Sequence, residues 1–184
     1  MMAQPTDTLA PDSLHARPVY VLGGQVLAAA EPTRYSTVLG SCVAICLYDF
    51  QAQVGGINHI QMPGEPKRDD KEANRWAGPA TRNLISMLVE LGARRGALRA
   101  KIFGGATING TNVSPELRIG DQNVASVVSL LRQERIRTIN GSTGGNSGRK
   151  VIFDSHTGNV WVKTLGMNLT VPARRKAQEE GVHH

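Results

Sequence analysis

The feature that most constrains this chain is a pair of apolar, β-leaning segments, CVAICLYDF and VGGINHIQM, separated only by Gln51–Gln53. Each is long enough for a central strand, and the short polar link between them makes them a hairpin. The longest uncharged apolar stretch, VLGSCVAICLY from Val38 to Tyr48, is far short of the roughly 20 residues that span a bilayer, so no membrane insertion is expected. Gly55 and Gly56 predict a β-bulge in the second strand.

The rest of the chain supplies the layers around that hairpin. Val19–Leu22 and Gln25–Ala30 flank a Gly-Gly pair and predict a first hairpin. A charged loop over 65–75 precedes a helix over 78–93, in which Leu84, Ile85, Leu88 and Leu91 form one stripe and Gly92 is the terminator. LRAKIFGGA reads as a strand, and a second helix starts near Asp121 with Val124, Val127, Val128 and Leu131 inward. Strands follow over 136–140, 151–154 and 160–163, with Thr157-Gly158-Asn159 as the last turn. Two helices cannot cover both faces of a large parallel sheet. The expected fold is therefore α+β, a layered sandwich of mainly antiparallel or mixed strands with helices on one side. At 184 residues it forms one domain, 18–165, between a flexible arm (1–17) and a polar tail (166–184).

Hydrophobic residues at 40% and charged residues at 20% are those of a globular protein. The N-terminus, MMAQPTDTLAPDSLHARP, lacks the basic and apolar regions of a signal peptide, so a cytoplasmic protein with reduced thiols is expected. The net charge of +6 is carried by the chain beyond residue 60; the first third is slightly acidic. Such a surface favours acidic partners. Nucleic acid is not expected among them, because the eight aromatics are few and no groove-reading motif is present. The Gly-rich segment GSTGGNSGRK is a long turn into a strand, since the Gly-Lys-Ser/Thr triplet of a phosphate-binding loop is missing.

Two cysteines and one histidine carry the candidate chemistry. Cys42 and Cys46 on an extended strand lie about 13 Å apart, which rules out a shared zinc ion or a disulfide. Cys46 sits in the apolar run as a core thiol. Cys42 follows Leu39-Gly40-Ser41, a junction where a thiol can be exposed and backbone N–H groups can point at a ligand. Its base would be His59. If Ala44 lies opposite His59 in the hairpin, Cys42 is its diagonal neighbour on the same face; if Ile45 does, the two point apart. The hydroxyl of Thr37 is placed to orient the imidazole.

The motifs TVLGSCVAICLYD, GGINHIQMP, AKIFGGA, IGDQNV and GGNSGRKVIFDSHTGNVWVK together resemble the CheD family of chemoreceptor glutamine deamidases, over about Val19 to Lys163. The resemblance implies a cysteine hydrolase with a layered sandwich like the catalytic domains of cytotoxic necrotizing factor toxins. It would convert glutamines of methyl-accepting chemotaxis receptors to glutamate and ammonia. It assigns Cys42 as nucleophile, His59 as acid–base and Thr37 as third catalytic residue. Backbone N–H groups at Gly40, Ser41 and Cys42 would serve as oxyanion donors. No metal or organic cofactor is implied. Receptor cytoplasmic domains are the implied partners, with a CheC-type phosphatase as a second. The competing reading is a non-catalytic adaptor that binds receptors or that phosphatase.

Overall fold

The computed structural model describes residues 17–67, 70–107 and 118–166. Its elements are β1 (Val19–Tyr20), β2 (Val26–Ala29), β3 (Arg34–Leu39), β4 (Val43–Asp49), β5 (Val54–Asn58), α1 (Ala77–Glu90), β6 (Arg99–Gly104), α2 (Ile119–Gln133), β7 (Arg137–Thr143), β8 (Arg149–Asp154) and β9 (Val160–Thr164). The strands form a four-stranded sheet in the order β1-β3-β8-β9 and a five-stranded sheet in the order β2-β5-β4-β6-β7. Both sheets are mixed, because β1 runs parallel to β3 and β7 parallel to β6.

Strand β4 shows why the architecture suits the sequence. Val43, Ile45 and Leu47 face α1 and α2, where Leu84, Leu88, Val127 and Leu131 cover them. Ala44 and Cys46 face the other sheet, against Leu39, Val151 and Phe153. A strand covered on both faces has no use for alternation, so its apolar run is unbroken. Each large side chain buried in these two layers contributes about 1.5–3 kcal/mol. The fold is thus the expected α+β sandwich, with both helices on one side of the five-stranded sheet. No described helix is long and apolar enough to cross a membrane.

Four expectations on the elements are corrected. Val19–Leu22 and Gln25–Ala30 are not a hairpin: β1 pairs with β3 in one sheet and β2 with β5 in the other. The turn is real, closed by the Gln25 amide donating to the Leu22 carbonyl at 3.0 Å, but it carries the chain between sheets. Gly55 and Gly56 make no bulge, since Leu47 opposes Gly56 and Tyr48 opposes Gly55 in unbroken register. They are small because neighbours are close: a Cβ on Gly56 would stand 2.7 Å from Leu84 Cδ1, and one on Gly55 2.9 Å from Phe153 Cζ. An irregularity of that kind does occur elsewhere, in the β6–β7 pairing, where Ala100 opposes Thr138 and Lys101 opposes Asn140. Leu91 leaves the buried stripe of α1; it stands at the helix C-cap and is exposed. Strand β3, not expected from the sequence, is central to its sheet.

The edge strand β7 extends through Gly141–Thr143, so only residues 144–148 of the Gly-rich segment are turn. Residues 1–16 and 167–184, which include nearly all of the expected arm and tail, lie outside the described residues.

Candidate active site

The candidate residues gather where the chain twice crosses between the sheets. Thr37 sits in β3 of one sheet, His59 directly follows β5 of the other, and Gly40–Cys42 is the crossover from β3 to β4. The second crossover, Val21–Gln25, lies against them: the Val21 amide donates to Ser36 O at 2.8 Å, the Gly24 amide to His59 O at 2.8 Å, and the His59 amide to Gln25 O at 3.0 Å. The bonds to His59 continue the β2–β5 pairing, in which Val26 opposes Asn58, and so tie its backbone to the turn that arrives from the other sheet.

The hairpin register places Cys42 and His59 on the same side. Cys46 opposes Ile57, and Val43 bridges Ile60 in the same register, so Ala44 lies across from His59. The register thus follows the first of the two alternatives left open by the sequence. Among the described residues, no hydrogen bond joins Cys42 Sγ to the imidazole.

The imidazole is held from its other side. Thr37 is fully buried, and its hydroxyl donates to the Val21 carbonyl at 2.8 Å. With its one proton committed, Thr37 Oγ1 accepts from His59 Nδ1 at 2.9 Å. The Val21 carbonyl, which can only accept, lies 3.4 Å from the same nitrogen. Both contacts require the proton on Nδ1, which leaves the Nε2 lone pair free to act as a base.

Burial sets the resting charge. It pushes the His59 pKa below the usual histidine value, against the opposing pull of the Val21 carbonyl, and it pushes the Cys42 thiol up, against the opposing effect of its own backbone N–H. Both shifts favour a neutral thiol beside a neutral imidazole, with proton transfer made on attack. Cys46 is different in kind: it is only 1% exposed, and burial raises its thiol well above the usual range despite nearby Lys101. In the native protein, iodoacetamide should therefore label half-buried Cys42 well before Cys46. Peptide mapping of the labelled protein checks this; equal labelling would remove the distinction between the two thiols.

The crossover that carries Cys42 is held by its carbonyls. Ala106 N–H donates to Gly40 O at 2.8 Å, Gly105 N–H to Cys42 O at 2.8 Å, and Asn123 Nδ2 to Ser41 O at 3.0 Å. Gly104 has φ +107°, and a Cβ there would collide with the Cys42 carbonyl, so only glycine allows this approach. Among the described residues, the N–H groups of Gly40 and Ser41 have no acceptor and that of Cys42 has none beyond its own sulfur, as suits oxyanion donors.

Arg149 was not singled out from the sequence. It is 7% exposed, and its guanidinium donates to the carbonyls of Ser142 and Gly144 and, at 3.0 Å, to Ser142 Oγ. These bonds pin the Gly-rich turn, whose Gly145 carbonyl accepts from Thr107 N–H at 2.8 Å, next to the strip at Gly104–Ala106. Among the described residues, no three His, Cys, Asp or Glu side chains converge as a metal site would need. An open concavity of about 590 Å³ lined by Asp49, Arg94 and Arg99 lies at the far end of β4 and holds neither Cys42 nor His59.

The family model for CheD chemotactic sensory transduction matches residues 61–164. A probable chemoreceptor glutamine deamidase CheD 1 of Anaeromyxobacter dehalogenans is 43% identical over 147 residues, which cover 80% of this chain and 84% of the relative. The chain belongs to the CheD family. Two further relatives, each named a probable chemoreceptor glutamine deamidase CheD, show how widely the likeness extends. That of Sulfurimonas denitrificans is 34% identical over 144 residues, covering 78% of this chain and 92% of its own, and that of Methanococcus vannielii is 37% identical over 140 residues, covering 76% and 90%.

For this CheD chain, Thr37→Val should lower turnover by about 5–20-fold, the worth of one buried hydrogen bond. The Val21 carbonyl still holds the Nδ1 proton, so the loss is partial. Steady-state kinetics with a melting curve will check it; a well-folded Thr37→Val protein with no turnover at all would give Thr37 a larger role than orienting.

Proposed function

We propose that this chain is a protein-glutamine deamidase that hydrolyses side-chain amides of selected glutamines in the cytoplasmic helices of methyl-accepting chemotaxis receptors. The observation that supports it best is the tautomer forced on His59 by Thr37 and Val21, which leaves Nε2 free as a base on the sheet face that Cys42 shares. The names of the curated relatives supply the substrate class.

The steps follow from these groups. As Cys42 Sγ attacks the glutamine Cδ, His59 Nε2 takes the thiol proton and the C=O π pair moves onto oxygen, which faces backbone N–H groups of Gly40–Cys42. The tetrahedral adduct collapses, and the leaving nitrogen takes the proton back from His59 and departs as ammonia. The thioester is then attacked by water, whose proton goes to His59; collapse expels Cys42 sulfur, which is reprotonated. The sum is glutamine plus water to glutamate plus ammonia. Every proton is carried by His59, so neither a metal nor an organic cofactor enters.

The net charge of +6 favours docking on an acidic helical bundle by long-range attraction. Rising salt should then raise KM for a receptor fragment with little change in kcat, and free glutamine, which offers no remote contacts, should react very slowly. Ammonia release from a receptor fragment, a short glutamine peptide and free glutamine across a salt series tests this. Equal kcat/KM for all three would point instead to a small-molecule amidase. The same basic surface would serve a CheC-type phosphatase as a second partner, which a pull-down with the purified phosphatase tests. A cytoplasmic location suits substrates of this class. A non-catalytic adaptor has no use for an oriented imidazole beside a half-exposed thiol, which favours the enzyme.

A further inference from the structure

Asn123 lies on the inner face of α2, fully buried, where the neighbouring turns of the helix present Gly120, Val127 and Leu131. A polar side chain on such a stripe needs a reason. Its Nδ2 donates to two backbone carbonyls, Ser41 O at 3.0 Å and Gln61 O at 3.2 Å. Because both partners only accept, the NH₂ group must face them, which fixes the orientation of the amide. Its Oδ1 is buried with no partner among the described residues, a cost that the fold tolerates in order to keep the two donors where they are.

The consequence runs through peptide geometry. In a trans peptide the C=O of one residue and the N–H of the next lie in one plane and point in opposite directions. Holding Ser41 C=O against α2 therefore aims Cys42 N–H away from the helix. That N–H also opposes the rise of the thiol pKa caused by burial. The peptides on either side are fixed in the same manner, Gly40 C=O by Ala106 N–H and Cys42 C=O by Gly105 N–H, but those anchors are backbone. Of the three carbonyl anchors, only the one at Ser41 depends on a side chain, and so only that one can be removed by substitution without rebuilding the loop. The second bond, to Gln61, links the same amide to the segment that follows His59.

We propose that Asn123 is a positioning residue for the deamidation: by holding the Ser41 carbonyl it orients the Cys42 N–H as an oxyanion donor, and through Gln61 it keeps that donor in register with His59. This inference rests on the deamidase reading above. Loss of Asn123 should weaken stabilisation of the tetrahedral adduct while leaving receptor docking and the chemistry of the free thiolate in place.

The test compares wild type, Asn123→Ala and the near-isosteric Asn123→Asp, with Cys42→Ala as reference. The readouts are kcat and KM on a purified receptor cytoplasmic fragment, and the limiting rate at which the ionised Cys42 thiolate reacts with iodoacetamide, taken from a pH series. Alkylation displaces iodide at a saturated carbon and forms no oxyanion, so it does not need the oriented N–H. The expected result is a fall in kcat of about 10–100-fold in both variants, with KM and the limiting alkylation rate changed less than about threefold. Asn123→Asp keeps the volume of the side chain and thus covers the case in which the alanine variant packs poorly. Unchanged kcat would overturn the assignment. So would a parallel loss of kcat, docking and alkylation in both variants, which marks a purely structural role. Turnover retained by Cys42→Ala would overturn Cys42 as the nucleophile, and a folded wild type that leaves the receptor fragment intact would overturn the deamidase reading itself; this inference falls with either.

Discussion

Cys42→Ala should abolish deamidation, lowering kcat by at least about 10⁴-fold, as removal of a covalent nucleophile does elsewhere. Its melting temperature should hardly change, because Cys42 is half exposed on a crossover whose shape is kept by backbone and Asn123 contacts. Cys46→Ala should do the reverse. Cys46 is 1% exposed in the layer between the sheets, so loss of its sulfur should cost about 1–2 kcal/mol of stability and leave turnover near wild type. Ammonia release and denaturant titration on the two variants measure both effects. Turnover lost in Cys46→Ala with unchanged stability, alongside an active Cys42→Ala, would reverse the assignment.

The second large effect concerns His59. The mechanism requires it neutral before attack, and burial lowers its pKa, so the acid limb of kcat/KM should lie below the usual histidine range. Activity should rise with pH through that limb and be on its plateau at pH 7. His59→Ala should lower kcat/KM at pH 7 by about 10²–10⁴-fold. What remains should climb only at alkaline pH, where solvent ionises a thiol that burial has pushed up. A pH–rate profile of wild type and variant decides this. An acid limb above the usual histidine range, or a His59→Ala profile that matches wild type, would mean that another group moves the proton.

How much of this could be read from the chain differs from element to element. The β4–β5 hairpin was legible, because unbroken apolarity and a three-residue polar link are local signals of a covered strand pair. Cys42 stands out because it follows Leu39-Gly40-Ser41 at the head of an apolar run, and His59 because it is the histidine best placed across the hairpin. The pairing of β1 and β2 was not legible: a Gly-Gly turn says that the chain reverses and nothing about which sheet receives the far side. Gly55 and Gly56 were misread because their cause is remote, in Leu84 and Phe153, which the neighbouring sequence does not contain. Thr37 could be chosen as an orienter, but the tautomer it enforces depends on the Val21 carbonyl, and backbone carbonyls leave no mark in a sequence. Asn123 does leave one: a polar residue on the face of α2 where the periodicity sets Val124, Val127, Val128 and Leu131 inward. Val127 and Leu131 are buried as expected, whereas Val124 and Val128 are only partly so.

The most direct test of the central claim is peptide mapping by mass spectrometry of a purified receptor cytoplasmic fragment after incubation with the wild-type protein and, in parallel, with Cys42→Ala. Particular glutamines should be converted to glutamates, with one ammonia released for each, by the wild-type protein only. Receptor glutamines left intact by the folded wild-type protein, or converted equally well by Cys42→Ala, would contradict it.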